Sequence, residues 1–329
     1  MRIHRLAIIA EFVAVAAFGL VNGASAASLA LVGSITIGPA AGKITDLELD
    51  YASQRLFALE PEQGAIAVID LPTRTVTQTL TQLRSPQGMA HEPPNGQLYV
   101  ALAGGKLGAF QGAPLRQTGT LMMGSNLGRP YYDASSTRVF LGIDHRAIGV
   151  VDTARNKALP DIGLDGDPGS IAFEALGTRL FAGAVGEKRV LVVDRAVGKQ
   201  IASWKTGGEA AALALDEEAG FLIVALRQPA GFAWFDLLTG VPRGRIEACA
   251  EPGSLIVDSG RARVYLACGE GRIDVYQRGA GGTYAKTGSL DTEPGATAAL
   301  LAPIGDRLYL AVPAGNGRSA EIRIYAPGK

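Results

Sequence analysis

Residues 167–206 read DPGSIAFEALGTRLFAGAVGEKRVLVVDRAVGKQIASWKT. Four short apolar segments, IAF, RLFAGAV, RVLVVD and QIASW, are separated by Pro-Gly, Leu-Gly, Gly-Glu-Lys and Val-Gly-Lys. Short apolar runs bounded by Gly and Pro read as strands joined by tight turns. The stretch therefore predicts a four-stranded antiparallel unit.

Working outward, the unit recurs. The second strand of each copy carries a large apolar residue in a pattern close to L-[FY]-[AVL], at Phe57, Tyr99, Phe140, Phe181, Leu222, Tyr265 and Tyr309, with intervals of 41 to 44 residues. Third strands end at Asp70, Gln111, Asp152, Asp194, Asp236 and Gln277, 41 or 42 residues apart. Two registers with one period, at four strands per unit, predict an all-β fold: a seven-bladed β-propeller of four-stranded antiparallel blades. The last unit has strands expected near 296–301, 307–312 and 321–325 and then runs out, while Leu29 to Ile37 (LALVGSITI) resembles a fourth strand without a blade. Closure of the ring by one N-terminal and three C-terminal strands removes both free edges.

Composition agrees. The 329 residues are 47% hydrophobic, enough for one large all-β domain, and the 43 glycines and 17 prolines are spread along the chain as many tight turns require. Formal net charge is zero, so no global field gathers nucleic acid, and a nucleic-acid partner is not expected. Residues 1–26 read as a signal peptide: Arg2 and Arg5, the apolar run FVAVAAFGL from Phe12 to Leu20, and Ala24-Ser25-Ala26 as a small-residue cleavage site. An uncleaved anchor needs about 20 apolar residues, and Glu11 leaves too few. The mature domain is then 27–329, nearly neutral, periplasmic or secreted, with no membrane span. In an oxidising compartment an isolated pair of cysteines reads as a disulfide, here Cys249 with Cys268. A hairpin between them returns both sulfurs to one edge of the sheet.

The Pro-Gly lead-in, the L-[FY]-[AV] second strand, the V-[IV]-D third strand and the K-x-[IV] fourth strand resemble the YVTN or YncE-like β-propeller repeat, over essentially the whole mature chain. EPGSLIVD, RVYLAC, GRIDVY, DRLYLAVPA and AEIRIYAPGK are the most specific segments. The resemblance implies a propeller and export. It implies function only broadly, since the family includes non-catalytic members and distant likenesses to the heavy subunit of amine dehydrogenases, whose cofactor lies on another chain.

Candidate chemistry narrows by exclusion. Of three histidines, His4 falls in the leader, His91 is expected in the turn after the first strand of blade 2, and His145 between the second and third strands of blade 3. Those connections sit on opposite faces, so no shared metal site is expected. There is no C-x-x-C-H, G-x-S-x-G or G-x-x-x-x-G-K-[ST], and no cofactor is implied. The series Asp70, Asp152, Asp194 and Asp236 is expected to cap turns, and the aromatic series to fill the core.

What remains is the mouth of the central channel. Connections into each first strand and those between second and third strands converge on one face, the top. They bring Lys43, Arg84, Arg129, Asp167, Glu209, Glu251 and Glu293 in blade order, basic in the first three blades and acidic in the last four, a two-sided dipolar funnel. Glu60, His145, Arg146, Glu187, Arg227 and Glu270 come from the other top connections. The same charges could equally be ordinary solvated turns. Two functions of different class follow: a non-catalytic binding or scaffold protein presenting its top face to a protein partner or small ligand, or a lactonase-type hydrolase using a carboxylate and arginines at the channel mouth. The enzyme requires a base with a raised pKa beside an arginine. A closed ring has no edge that demands a partner, so a monomer is expected.

Overall fold

The computed structural model describes residues 29–38, 42–302, 305–315 and 317–328. The leader expected over residues 1–26 lies outside them. Among the described residues the chain forms seven four-stranded antiparallel sheets, arranged as the blades of a propeller. The opening stretch is blade 4, with strands Pro168–Phe173, Arg179–Ala184, Arg189–Asp194 and Lys199–Lys205. No helix among the described residues is long and apolar enough to cross a membrane.

Ring closure follows the sequence. Leu29–Gly38 pairs antiparallel with Ala320–Pro327, from Leu29 opposite Pro327 to Gly38 opposite Ala320, and completes the last blade. The seven marker residues all lie in second strands and are buried. Each packs toward a neighbour: Phe57 clusters with Met89, Leu98 and Val100 of blade 2, and Phe181 with Leu222 and Val224 of blade 5. Trp204 lies against Gly240 of blade 5, where a Cβ would fall 2.3 Å from the indole. The third-strand aspartates cap turns: Asp70 accepts from the Thr73 N–H, Asp152 from Arg155, Asp194 from Ala196, and Asp236 from Thr239. Cys249 and Cys268 form a buried disulfide with Cα atoms 5.9 Å apart. Pro252, opposite Cys268 in the ladder, brings the two cysteines to one end of the hairpin.

One expectation is corrected. His91 is not in a turn but inside the first strand of blade 2, Gly88–Glu92, and is buried. The strand continues through His91 and Glu92, and the turn starts only at the Pro93-Pro94 pair, which cannot donate to a ladder.

A third register, unrecognised in the sequence, runs along the face opposite the channel mouth. Six blades carry a buried acid at the end of the first strand or one residue beyond it: Asp50, Glu92, Asp133, Glu174, Asp216 and Asp258. Burying a carboxylate costs several kcal/mol unless it is paired and hydrogen-bonded. Two solutions recur. In the first, a residue at the end of the next blade's third strand reaches back: Thr153 to Glu92, Arg195 to Asp133 at 2.8 Å, and Arg278 to Asp216 at 3.1 Å. In the second, that position offers only its carbonyl, and an arginine that opens the home blade's second strand crosses to it. Arg55 donates to Gly112 O at 2.8 Å, Arg179 to Leu237 O at 2.7 Å, and Arg263 to Gly328 O at 2.6 Å. Arg55 and Arg179 also hold their home acids, Asp50 and Glu174, while Asp258 is held by Arg261 at 3.0 Å. Among the described residues the device lapses between blades 7 and 1, where Ala302 ends the first strand and joins an apolar cluster with Leu71.

Arg195→Met leaves Asp133 buried without its cation, and is expected to cost about 3–5 kcal/mol, read as a lower urea midpoint at unchanged slope. A variant within 1 kcal/mol of the parent would show that the stitch is dispensable. Deletion of Ala27 to Gly38 removes the closing strand and is expected to abolish soluble folding; a cooperative, soluble deletion product would count against closure as the source of stability.

Candidate functional site in the central channel

The seven first strands line the axis, each with one edge unpaired. In blades 1 and 2 the pairing of first and second strands is regular. In blades 3 to 6 it is interrupted by a register shift near the top, between Leu127 and Pro130, Pro168 and Ile171, Ala210 and Ala212, and Pro252 and Leu255. A bulge re-aims the side chain it displaces. Here Arg129, Ser170, Ala211 and Ser254 occupy the shifted segments, and all four line a cavity of about 430 Å³ bounded by first strands of six blades. Blade 2 alone contributes no lining residue, because Arg129 lies across it. A Cβ on Gly88 would fall 2.6 Å from Arg129 Cγ and 2.9 Å from its Cα, so only glycine leaves space for that crossing.

Arg129 crosses blade 2 to reach blade 1. Its Nε donates to Asp46 Oδ2 at 2.9 Å, and its Nη2 lies 2.8 Å from Asp46 Oδ1 and 3.0 Å from Glu48 Oε1. The guanidinium stacks over Tyr131 at 4.9 Å from the ring centroid. The carboxylates also serve the backbone, for Asp46 Oδ2 accepts the Met89 N–H at 2.9 Å and Glu48 Oε2 the His91 N–H at 3.3 Å. They thereby satisfy the open edge of blade 2, whose N–H groups have no strand partner on the channel side.

The electrostatics follow from burial. Desolvation raises the Asp46 carboxyl even against the pull of Arg129. Glu48 is pushed up to about 7, by burial first and by the neighbouring Asp46, while Arg129 pulls the other way. For Arg129 burial opposes the charge, but Asp46, Tyr131 and Glu48 outweigh it and hold the guanidinium above its ordinary value. Arg129 keeps 39% of its side chain accessible from the cavity, against 7% for Asp46 and 22% for Glu48. The group presented to a ligand is therefore the cation.

The residues expected at the mouth separate into groups. Arg129 and Arg227 line the cavity. Lys43, Arg84 and Glu251 are exposed, and no side-chain hydrogen bond or ion pair holds them among the described residues. His145 and Asp167 meet each other, Nδ1 to Oδ2 at 3.1 Å, beside a separate cavity of about 280 Å³ between blades 3 and 4. Glu187 is held by Arg189 at 2.5 Å, and Glu293 by Arg318 at 2.6 Å and Arg323 at 3.2 Å, so the acidic side of the ring is partly neutralised. Glu60 is buried, and Glu209 and Glu270 accept backbone N–H groups of Gly186 and Ala250. Sequence reasoning missed Asp46 and Glu48. The usable signal was DLELD, a period-two run of acids whose last member, Asp50, is the floor acid and whose first two, Asp46 and Glu48, have no acidic counterpart at the corresponding positions of the other first strands.

No family model matches the chain, and no curated protein matches it in sequence. Among solved structures it is similar to hydrazine synthase of Kuenenia stuttgartiensis, with a TM-score of 0.73 and 15% identity over 87% of this chain and 97% of that one. It is also similar to a chain of a mitotic checkpoint complex, with a TM-score of 0.77 and 13% identity over 99% of this chain and all of the other. At these identities the likeness is one of fold.

Because the folded chain holds a proton on Glu48 that the unfolded chain gives up near pH 4.5, Glu48 contributes stability that falls as pH rises from about 4.5 to about 7 and is flat above. The unfolding free energy of the parent minus that of Glu48→Gln is expected to fall over that window, by about 3 kcal/mol. A difference independent of pH would place Glu48 in an ordinary, solvated environment.

Proposed function

We propose that the protein is an exported, non-catalytic binding propeller of the YVTN or YncE-like kind, which takes a small ligand into the central channel through its top face. The observation that carries this is the cavity itself: a mixed wall of polar and aliphatic side chains around one cation that buried carboxylates fix from behind, convergent polar groups of the kind that orient a ligand. Export is supported by the leader pattern in residues 1–26 and by the Cys249–Cys268 disulfide. The near-neutral charge gives no support to a nucleic-acid partner. Scaffold duty toward a protein partner uses the same face and is compatible with the fold. A second reading, hydrolysis of a small lactone or ester, is favoured by one observation. Glu48, pushed up to about 7, lies 3.0 Å from Arg129 in the cavity, the pairing of raised base and arginine that such chemistry needs.

Ala211→Phe fills the cavity from a bulge position. Native mass spectrometry after exposure to a fractionated metabolite extract is expected to show a retained small molecule on the parent and none on this variant; equal retention by both would move the ligand site out of the channel. Turnover in a lactone and ester panel that disappears in a folded Glu48→Gln variant would replace the binding function with the hydrolytic one.

A further inference from the structure

The guanidinium of Arg129 has one edge occupied and one edge free. Nε and Nη2 are engaged by Asp46 and Glu48, while Nη1 has no hydrogen-bond partner among the described residues. An arginine backed by carboxylates on its Nε edge is fixed in direction, so the free edge is a preorganised donor and loses little side-chain entropy on binding. Tyr131 beneath the plane fixes it further. The second cation on the cavity wall, Arg227, comes from the top connection of blade 5, across the ring from blades 1 and 2. Its Nη2 donates to Pro252 O at 3.2 Å, and no carboxylate pairs with it among the described residues.

The charge balance narrows the ligand class. Asp46 and Glu48 set two acids against Arg129 and Arg227, so the cavity holds no large excess of positive charge. That balance suits a single negative charge and not a phosphate dianion, which would crowd two charges against the acids behind Arg129. The lining also includes the aliphatic side chains of Ile171, Leu213, Leu255 and Leu300, alongside Ser170, Ser254 and Thr297.

We infer that the central cavity binds a small organic monocarboxylate, its carboxylate against Arg129 Nη1, its apolar body against Ile171, Leu213, Leu255 and Leu300, and Arg227 guarding the mouth. The assignment rests on the small-ligand function proposed above and names the chemistry of that ligand. With Nε and Nη2 engaged, Nη1 offers the carboxylate a charge-assisted hydrogen bond rather than a two-nitrogen fork.

The test is calorimetric titration of the mature chain with benzoate and 4-methylpentanoate, with benzamide and 4-methylpentanamide as neutral isosteres and inorganic phosphate as the alternative anion. The carboxylates are expected to bind at least tenfold more tightly than their amides and than phosphate. The charge-preserving Arg129→Lys is expected to weaken them about tenfold or more, as loss of a charged hydrogen bond implies, while Arg227→Gln, which removes only a charge at the mouth, is expected to weaken them by a smaller factor; thermal melts confirm that both variants fold. Amides that bind as well as carboxylates would overturn the anion assignment and leave the cavity a ligand site. Tighter binding of phosphate would overturn the carboxylate assignment in favour of another oxyanion. Should none of the five compounds bind the parent, both the clamp and small-ligand binding in this cavity would fall.

Discussion

The structure depends on how each blade is tied to the next at the floor of the ring. Apolar packing between neighbouring sheets supplies most of the driving force, but it is non-directional and could be satisfied by sliding one blade over another. The buried acids at the ends of the first strands remove that freedom. Asp133 accepts from Ser135 and Ser136 in its own turn and from Arg195 in the next blade; Asp216 does the same with Ala219, Tyr284 and Arg278. A carboxylate so placed is stable only when home turn and neighbouring blade are both in register. Arg55, Arg179 and Arg263 reach the same end from the other side, crossing to a backbone carbonyl where the next blade provides no cation. Two chemistries thus serve one common position around the ring, and each fixes the register of a blade against its neighbour.

A floor stitched in this way leaves the top free to vary. The register shifts that open the channel lie near the top of the first strands in blades 3 to 6, at the end away from the acids. Blades 1 and 2 keep regular strands and are held differently, by Asp46 and Glu48 reaching to the open edge of blade 2 and by Arg129 returning from blade 3. The top of the ring is therefore tied across three blades at one place. Its remaining connections are tied more locally, as where His145 and the Arg146 N–H meet Asp167, and where Arg227 meets Pro252 O.

The legibility of the chain divides along the same line. Blade number, strand order and closure could be read because they depend on features periodic in one dimension: an aromatic or leucine in the second strand, an Asp before the outer turn, an unpaired strand at the N-terminus. The disulfide could be read from two cysteines and a hairpin. The floor acids are equally periodic, yet they escaped because Asp and Glu near turns are ordinarily solvated, and nothing in one sequence distinguishes a buried Asp133 from an exposed Asp161. The channel cluster was beyond reach for a different reason. Asp46 and Arg129 are 83 positions apart and meet only because Gly88 lacks a side chain and a bulge turns Arg129 inward. Charge type at the mouth was visible, but which charges face the axis depends on where each first strand loses register, and that depends on packing.

The cluster of Asp46, Glu48 and Arg129 admits a purely structural account, and the details show where that account stops. Satisfying the Met89 and His91 N–H groups requires acceptors, which Asn or Gln would provide without the cost of burying charge. Holding blade 3 to blade 1 requires one ion pair, which Asp46 and Arg129 complete alone with two contacts at 2.9 and 2.8 Å. Glu48 then adds a second acid beside the first and is driven up to about 7, which weakens the cluster as a clamp. The arginine so overprovided is also its most accessible member, with 39% of its side chain open to the cavity. At the floor, Arg278 also takes two acids, Asp216 and Glu218, and Arg261 takes Asp258 and Asp306, but these arginines keep only 18% and 23% of their side chains accessible. The exposure of Arg129, rather than the number of its acids, is what sets it apart as a cation held at a fixed angle toward the cavity.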